Sequence, residues 1–206
     1  GVKERCEGIE LPDGKRMMEV AEDGYKYLGV LEGAGIMNMS MKVKIKQEYL
    51  RRVKLVAKSR LYAGNLIGGI NAWAVSVVRY SAGILEWSDK ELKGMDVKTR
   101  KLLNMFGAFH RNSSVNRLYM KRKDGGRGLL SVEECVRAEE LGLSEYVRGS
   151  KEWMLKVVAE TKDVCETKVE YKKRVEQERA DDFRGKRMHG MFLRKVEEVA
   201  DDRSWQ

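Results

Sequence analysis

The chain has 206 residues, of which 42% are hydrophobic and 35% charged, and it carries a net charge of +9. This length and hydrophobic share allow one ordinary domain with a true core, while the high charged fraction indicates long, solvated helical faces. A single proline argues against β-sandwiches, β-barrels and disordered linkers. The three cysteines and two histidines lie far apart in the sequence, which argues against a metal site and favours free thiols in a reducing compartment.

Short β structure is predicted at the start of the chain. Pro12, Asp13 and Gly14 are turn-forming residues between two candidate strands, which predicts a hairpin over about residues 9–17. Residues 25–30, with the sequence YKYLGV, alternate in character and are rich in aromatic side chains. They are therefore predicted to form a further strand.

From about residue 38 the apolar spacing becomes helical, and residues 42–60 are predicted to form a helix with two different faces. One side of this helix is apolar and should pack: Ile45, Tyr49, Leu50, Val53, Val56, Ala57 and Leu61. The opposite side is basic: Lys44, Arg51, Arg52, Lys54 and Lys58. The pattern predicts one buried face and one face that presents a stripe of positive charge.

A helical bundle is predicted to follow. Residues 65–82 are apolar nearly all round and include small residues that allow close packing, so they are predicted to form the central helix of the core. Asn71 and Arg79 interrupt this apolar run and argue against a membrane span. Ser88 and Ser131 each begin a capping-box sequence, which predicts helices that end near residues 106 and 148.

The remaining segments are a loop and a C-terminal helical region. Residues 107–130 are predicted to be a long basic loop with a short central segment at residues 117–120 and a turn at residues 124–128. Ser150 should cap a helix that ends near residue 160, and the mixed-charge residues from 163 onward are predicted to form an extended helical segment that Gly185 and Gly190 interrupt. The predicted fold class is mainly α, a helical bundle with a small N-terminal β-hairpin and an extended C-terminal helical segment. Its three predicted parts are residues 1–35, 36–130 and 131–206.

No arrangement of residues in the sequence indicates catalysis. The chain has no HExxH, Walker or Ser/His/Asp pattern, and the glycine-rich residues 125–128 lack the spacing and the lysine of a phosphate-binding loop. The acidic pairs are typical of helix starts and solvated faces, whereas two-metal chemistry would need carboxylates on strands. We therefore expect no activity from this chain alone.

Two basic segments indicate a polyanionic partner. Residues 42–60 and 98–127 are rich in lysine and arginine and contain one acid each, Glu48 and Asp124, whereas the rest of the chain is net acidic. Such cations can neutralise the phosphates of a nucleic acid without reading its sequence. Two alternatives stay open. One is a solvated lysine-rich surface with no partner, and the other is a helical protein-interaction module in which residues 166–187 pair with a partner helix despite a poor heptad pattern.

The order of several short motifs resembles the reverse transcriptases of non-LTR (LINE-like) retrotransposons. Residues 25–29 (YKYLG) are similar to the short strand called the primer grip, which follows the catalytic palm in those enzymes, and residues 9–17 are similar to the end of the palm. The motifs that resemble the thumb and connector lie at residues 48–53, 65, 70–75, 79–84, 87–91, 96–101, 117–119 and 125–129. Residues 189–194 are similar to the linker further on. The shared order of these motifs covers about residues 9–148 and carries the resemblance.

The resemblance implies binding of a template–primer duplex. The three predicted parts of the chain would correspond to the end of the palm, the thumb with its basic loop, and the connector. In such enzymes two metal ions, held by palm aspartates, support RNA-directed DNA polymerisation. This chain has no Tyr-Ala-Asp-Asp or Phe-Ala-Asp-Asp segment and no Cys/His zinc knuckle. No cofactor is therefore expected in this chain, and Mg²⁺ is expected only together with the missing palm. We expect the chain to be a fragment of a truncated or degenerate reading frame, because it begins at Gly1 and ends at Gln206 directly after a helical pattern. The alternative that stays open is an intact polymerase of which this chain is one portion.

The expected partners are RNA and DNA, in the form of an RNA–DNA or DNA duplex. We expect a monomer without a membrane role, inside the cell and, by the resemblance, in the nucleus. The residues predicted to bind nucleic acid are Tyr27, Leu28, Gly29, Lys44, Arg51, Arg52, Lys54, Lys58, Arg111, Arg117, Lys121, Arg122 and Arg127. By the resemblance the first three lie at the primer end and the basic helix follows the duplex backbone. The alternative for Tyr27 is an aromatic side chain that packs within the protein.

Overall fold

The computed structural model describes residues 12, 14, 25–32, 36–159 and 166–188. These residues form helices joined by short connections, with one two-stranded sheet, so the predicted mainly α fold class is confirmed. The chain divides into two compact units, residues 1–44 and 45–206. The hairpin predicted over residues 9–17 lies outside the described residues, apart from a turn at Pro12 and a bend at Gly14.

The first unit contains an antiparallel hairpin made of strand β1 (Tyr25–Tyr27) and strand β2 (Val30–Glu32). Its two turn residues, Leu28 and Gly29, have positive φ angles of 45° and 88°, as a tight two-residue hairpin turn requires. The prediction of one strand over residues 25–30 is therefore wrong, because the chain reverses direction in the middle of that segment. The sequence marks this turn only by its glycine, since leucine rarely takes a positive φ.

Helix α1 (Asn38–Lys58) contains the boundary between the units and has the two faces that its sequence predicts. In the second unit its buried residues are Ile45, Tyr49, Val53, Val56 and Ala57, and Leu50 is half-buried. Leu61 is exposed, so its predicted place on the apolar side is wrong. The helix ends at Lys58, and Arg60 has a positive φ of 51°, which turns the chain away before it reaches Leu61.

The central apolar segment is helical from Ala63 to Ser81, which confirms the predicted central helix, and it contains a π-helical turn that the sequence does not predict. It consists of α2 (Ala63–Gly69), a π-helical turn (Ile70–Ala74) and α3 (Val75–Ser81). All three pieces contribute to the core: Leu66, Ile67, Ile70, Ala74, Val75 and Val78 are buried. A π-helical turn changes the backbone bonding from four residues apart to five. Within this turn the Trp73 carbonyl accepts hydrogen bonds from the side chains of Arg52 and Ser76, both at 2.9 Å.

Helix α4 (Asp89–Met105) begins with the capping box that its sequence predicts. The Ser88 hydroxyl accepts a hydrogen bond from the Glu91 amide at 3.3 Å, and the Glu91 carboxylate accepts one from the Ser88 amide at 3.1 Å. These two bonds satisfy amides at the helix start that have no partner within the helix. The prediction for this helix start is confirmed.

Helix α6 (Val132–Gly149) begins differently, and the capping box predicted at Ser131 is wrong. Asp96 of α4 caps this helix instead: it accepts hydrogen bonds from the Ser131 hydroxyl at 2.7 Å and from the amides of Val132 and Glu133 at 2.9 and 3.3 Å. Burial raises the pKa of Asp96 above its ordinary value, although the three hydrogen bonds act in the opposite direction. One buried carboxylate therefore joins α4 to the start of α6.

The other helical elements are α5 (Val115–Tyr119), a 3₁₀ turn (Arg122–Asp124), α7 (Trp153–Ala159) and α8 (Lys168–Met188). Helix α8 packs against α5 and α6. Gly185 lies within α8 and does not interrupt it, because one glycine costs a helix only about 1 kcal/mol; Gly190 lies outside the described residues. Within the described ranges, no helix is long and apolar enough to cross a membrane.

Candidate nucleic-acid interface

The solvent side of α1 in the second unit presents three exposed cations, Arg51, Lys54 and Lys58, which we call the α1 strip. Their spacing of three and four residues puts them on one face of the helix. A rise of about 1.5 Å per residue separates the first from the last by about 10 Å along the helix axis. Among the residues that the structure describes, Lys54 and Lys58 have no hydrogen-bond or ion-pair partner. The α1 strip is therefore open to an anionic ligand.

Glu48 lies at one end of the α1 strip and binds two arginines. Its carboxylate accepts two hydrogen bonds from Arg51, at 2.7 and 2.8 Å, and one from Arg52 at 2.7 Å. These bonds lower the pKa of Glu48 to about 2, so the group is ionised at neutral pH. The pair with Arg51 is exposed and hence weak, and the guanidinium keeps further donors for a phosphate.

Arg52 points towards the protein, unlike its neighbour Arg51. Its Nη1 donates to the Trp73 carbonyl at 2.9 Å, and its guanidinium lies over the Trp73 ring, 5.0 Å from the ring centroid. Together with the bond to Glu48, these contacts occupy one face and two donors of the guanidinium. Arg52 therefore connects α1 to the π-helical turn and is not part of the α1 strip.

Three of the arginines predicted to bind nucleic acid donate hydrogen bonds to backbone carbonyls. Arg122 binds Gly64 at 2.7 Å, Arg127 binds Ala108 at 2.7 Å, and Arg117 binds Gly125 at 3.3 Å. A neutral carbonyl satisfies a donor without cancelling the positive charge. These arginines therefore fix the basic loop in place and remain cationic.

Other contacts hold the same loop in one conformation. The Asn71 side chain donates to the Gly128 carbonyl at 2.8 Å and accepts from the Leu130 amide at 2.9 Å. Gly126 lies so close to the Met120 carbonyl that a β-carbon at this position would overlap it. Because the loop is already ordered, a ligand that binds it does not have to supply the free energy of ordering.

Helix α8 brings a carboxylate to this loop. Lys121, a predicted site residue, forms an ion pair with Glu176 at 2.5 Å. Nearby, Arg179 of α8 lies over the Tyr119 ring, 5.2 Å from its centroid, and pairs with Glu134. Burial lowers the pKa of Arg179. The Lys121 charge is therefore balanced by α8, whereas within the described part of the chain the α1 strip forms an ion pair with Glu48 alone.

The remaining predicted site residues take part in none of these contacts. Arg111 is exposed between α4 and α5 and has no hydrogen-bond or ion-pair partner in the described part of the chain. The others belong to the first unit, where Lys44 is exposed on α1 and Leu28, at the hairpin turn with Gly29, is 71% exposed. For Tyr27 the structure describes the backbone only.

Two residues that were not predicted as site residues lie just beyond the α1 strip. Arg60 and Tyr62 are exposed in the connection between α1 and α2, and the Tyr62 side chain is 81% exposed. Their signal in the sequence is an arginine and an aromatic residue directly after a basic helix. Cations interleaved with aromatic side chains are typical of surfaces that bind nucleic acids.

No protein-family model, curated protein or solved structure matches this chain. The resemblance to reverse transcriptases therefore stays a prediction that depends on the order of the motifs. Among the described residues, no group of three or more His, Cys, Asp or Glu side chains could hold a metal ion. The α1 strip and the fixed basic loop are two cationic features of the second unit.

Proposed function

We propose that this chain binds the sugar–phosphate backbone of a nucleic-acid duplex, as the thumb and connector region of a reverse transcriptase without the palm aspartates. The α1 strip is the observation that carries the proposal. Its three cations face solvent while the opposite side of the same helix is anchored in the core. One strand of a duplex carries a charge about every 3.4 Å, so a strip about 10 Å long spans about three phosphates.

The fixed loop supports the same proposal because Arg122 joins it to the helix that follows the α1 strip in the chain. Arg122 donates to the carbonyl of Gly64, in the first turn of α2, which comes directly after the connection that contains Arg60. The bonds that hold the loop place its guanidiniums before any ligand arrives, which reduces the entropic cost of binding. Phosphate contacts fix the position of a protein on a duplex and do not read bases. We therefore expect binding that is independent of base sequence.

The direct test measures fluorescence anisotropy of a labelled RNA–DNA duplex at several salt concentrations. About four phosphate contacts should weaken binding about a hundredfold between about 50 and 200 mM salt, because each contact releases condensed counterions. The affinity should be the same for two duplexes of unrelated sequence. Absence of binding at the lowest salt concentration, or an affinity that salt does not change, would contradict the proposal.

Neutralising Glu176 should strengthen duplex binding. A duplex that contacts Lys121 has to displace the Glu176 carboxylate from it, so Glu176→Gln removes a competitor. Since an exposed ion pair contributes up to about 1 kcal/mol, we expect about a twofold to fivefold gain in affinity in the same anisotropy assay.

Glu178→Gln is the matched control for this experiment. It removes the same charge from the same helix, but Glu178 pairs with Arg174 within α8, at 2.9 Å. It should therefore change affinity only through the small gain in net charge. Equal effects of the two variants would show that Lys121 does not contact the duplex.

A helical protein-interaction module is the second candidate function. In such a module, residues 166–187 would pair with a partner helix. What favours the first candidate is that α8 already packs on its own chain, where Lys168 pairs with Glu139 at 3.2 Å and Arg179 pairs with Glu134. Sedimentation as a monomer at all concentrations, together with duplex binding, would exclude self-association through α8.

A further inference from the structure

Tyr62 has an exposed aromatic ring that lies against the backbone of a glycine. Tyr62 is 81% exposed to solvent, yet a β-carbon at Gly64 would lie 3.3 Å from the Cε1 atom of its ring. Gly64 has no side chain, so the ring rests beside the chain and keeps its outer surface open. The ring is therefore close to the Gly64 backbone, and Tyr62 stays exposed to solvent.

The guanidinium of Arg122 lies against the same glycine. Its Nη1 atom is 3.6 Å from the position of that β-carbon, and its Nη2 atom donates to the Gly64 carbonyl at 2.7 Å. An open aromatic ring and a fixed cation therefore flank one residue. Arg60 and Lys58 are exposed two and four residues before Tyr62, which adds positive charge on the side of the α1 strip.

This combination fits a nucleotide whose base is not paired. In an intact duplex the bases are stacked on one another, so contacts to the backbone use cations and have no need of an exposed ring. An unpaired base offers a free aromatic face, and stacking on a protein ring next to phosphate-binding cations is how single strands are held without regard to sequence. The α1 strip alone would not distinguish these two forms of nucleic acid.

We propose that Tyr62 stacks with an unpaired base next to the duplex, while Arg122 and Arg60 bind the adjoining phosphates. The ligand of this surface is then a junction between duplex and single strand, and Tyr62 is its specificity-determining residue. The inference rests on the proposed function, since the α1 strip binds the duplex arm of the junction.

A single exposed tyrosine is common on protein surfaces and needs no function by itself. Tyr146 of α6 provides the comparison within this chain. It is 68% exposed, but it follows the acidic Glu145 on a helix outside the two basic segments. Tyr62 differs from it by the fixed guanidinium beside Gly64 and by the two exposed cations that precede it in the chain, Lys58 and Arg60.

The test compares two labelled probes, a blunt RNA–DNA duplex and the same duplex with a four-nucleotide single-stranded extension. The unaltered chain should bind the extended probe more tightly. Tyr62→Ala should reduce affinity for the extended probe about fivefold to a hundredfold, which is the range for one stacked base. The affinity of Tyr62→Ala for the blunt duplex should stay within about twofold of that of the unaltered chain. Tyr62→Trp should bind the extended probe more tightly than the blunt duplex, as the unaltered chain does.

Two controls separate stacking from other effects. Tyr62→Leu keeps apolar bulk but has no aromatic face, so it should behave like Tyr62→Ala, while Tyr146→Ala should leave binding of both probes unchanged. Equal binding of the two probes by the unaltered chain, with no effect of Tyr62→Ala, would overturn the inference and leave the proposed duplex binding intact. Failure to bind either probe would instead refute the proposed function, and the inference with it.

Discussion

Replacing Arg51, Lys54 and Lys58 together with glutamate should weaken binding of an RNA–DNA duplex by about a hundredfold or more at low salt. The slope of log affinity against log salt concentration decreases in magnitude by about 0.9 for each phosphate contact that is lost. Loss of three contacts should therefore reduce this slope by about three. Folding should change little, because these side chains are exposed and glutamate suits a helix about as well as lysine. Anisotropy gives the affinities, and circular dichroism in denaturant gives the free energy of unfolding.

The structure determines which residues belong in this variant. Arg52 is left unchanged, because its bond to the Trp73 carbonyl would be lost and folding would be affected along with binding. Lys151, Lys156 and Lys173, changed to glutamate together, give a control with the same change in net charge on exposed residues of other elements. If this control weakens binding as strongly as the α1 variant, the affinity depends on total charge and the α1 strip is not the binding surface.

Replacing Asp96 with alanine should lower the free energy of unfolding by about 3–5 kcal/mol. The variant removes the acceptor of three hydrogen bonds and leaves the Ser131 hydroxyl and the Val132 and Glu133 amides without their partner at the start of α6. Losing a helix cap costs about 1 kcal/mol, and each buried donor left unsatisfied costs about 1–3 kcal/mol more. Chemical denaturation followed by circular dichroism measures the change.

Asp96→Asn and Asp89→Ala test the reason for this loss. The asparagine keeps one acceptor oxygen, so it should cost less than alanine, although its amino group cannot accept the remaining bonds. Asp89 lies on the same helix but is exposed and pairs with Arg137 at the surface, so its replacement should cost less than about 1 kcal/mol. A similar loss for Asp96→Ala and Asp89→Ala would mean that the cap on α6 contributes little to stability.

Short-range rules explain the features that could be predicted from the sequence. Helical periodicity and the capping box depend on residues three or four apart, and these spacings are visible in the sequence. The two faces of α1 and the capping box from Ser88 to Glu91 are of this kind, and both are present in the structure. Because the apolar side of α1 is buried, the α1 strip has to face solvent, so its place on the surface follows from the same periodicity.

Contacts between residues far apart in the sequence decided the features that the sequence did not predict. Arg51 and Arg52 are neighbours with the same chemistry, yet only Arg52 binds the Trp73 carbonyl, 21 residues away. Ser131 has the spacing of a capping box, but the packing of α4 beside α6 brings the Asp96 carboxylate to the helix start from 35 residues away. The basic loop looks like a set of solvated arginines in the sequence, and tertiary contacts turn three of them to backbone carbonyls. Every residue has a carbonyl, so the sequence carries no mark of the one that a given arginine binds.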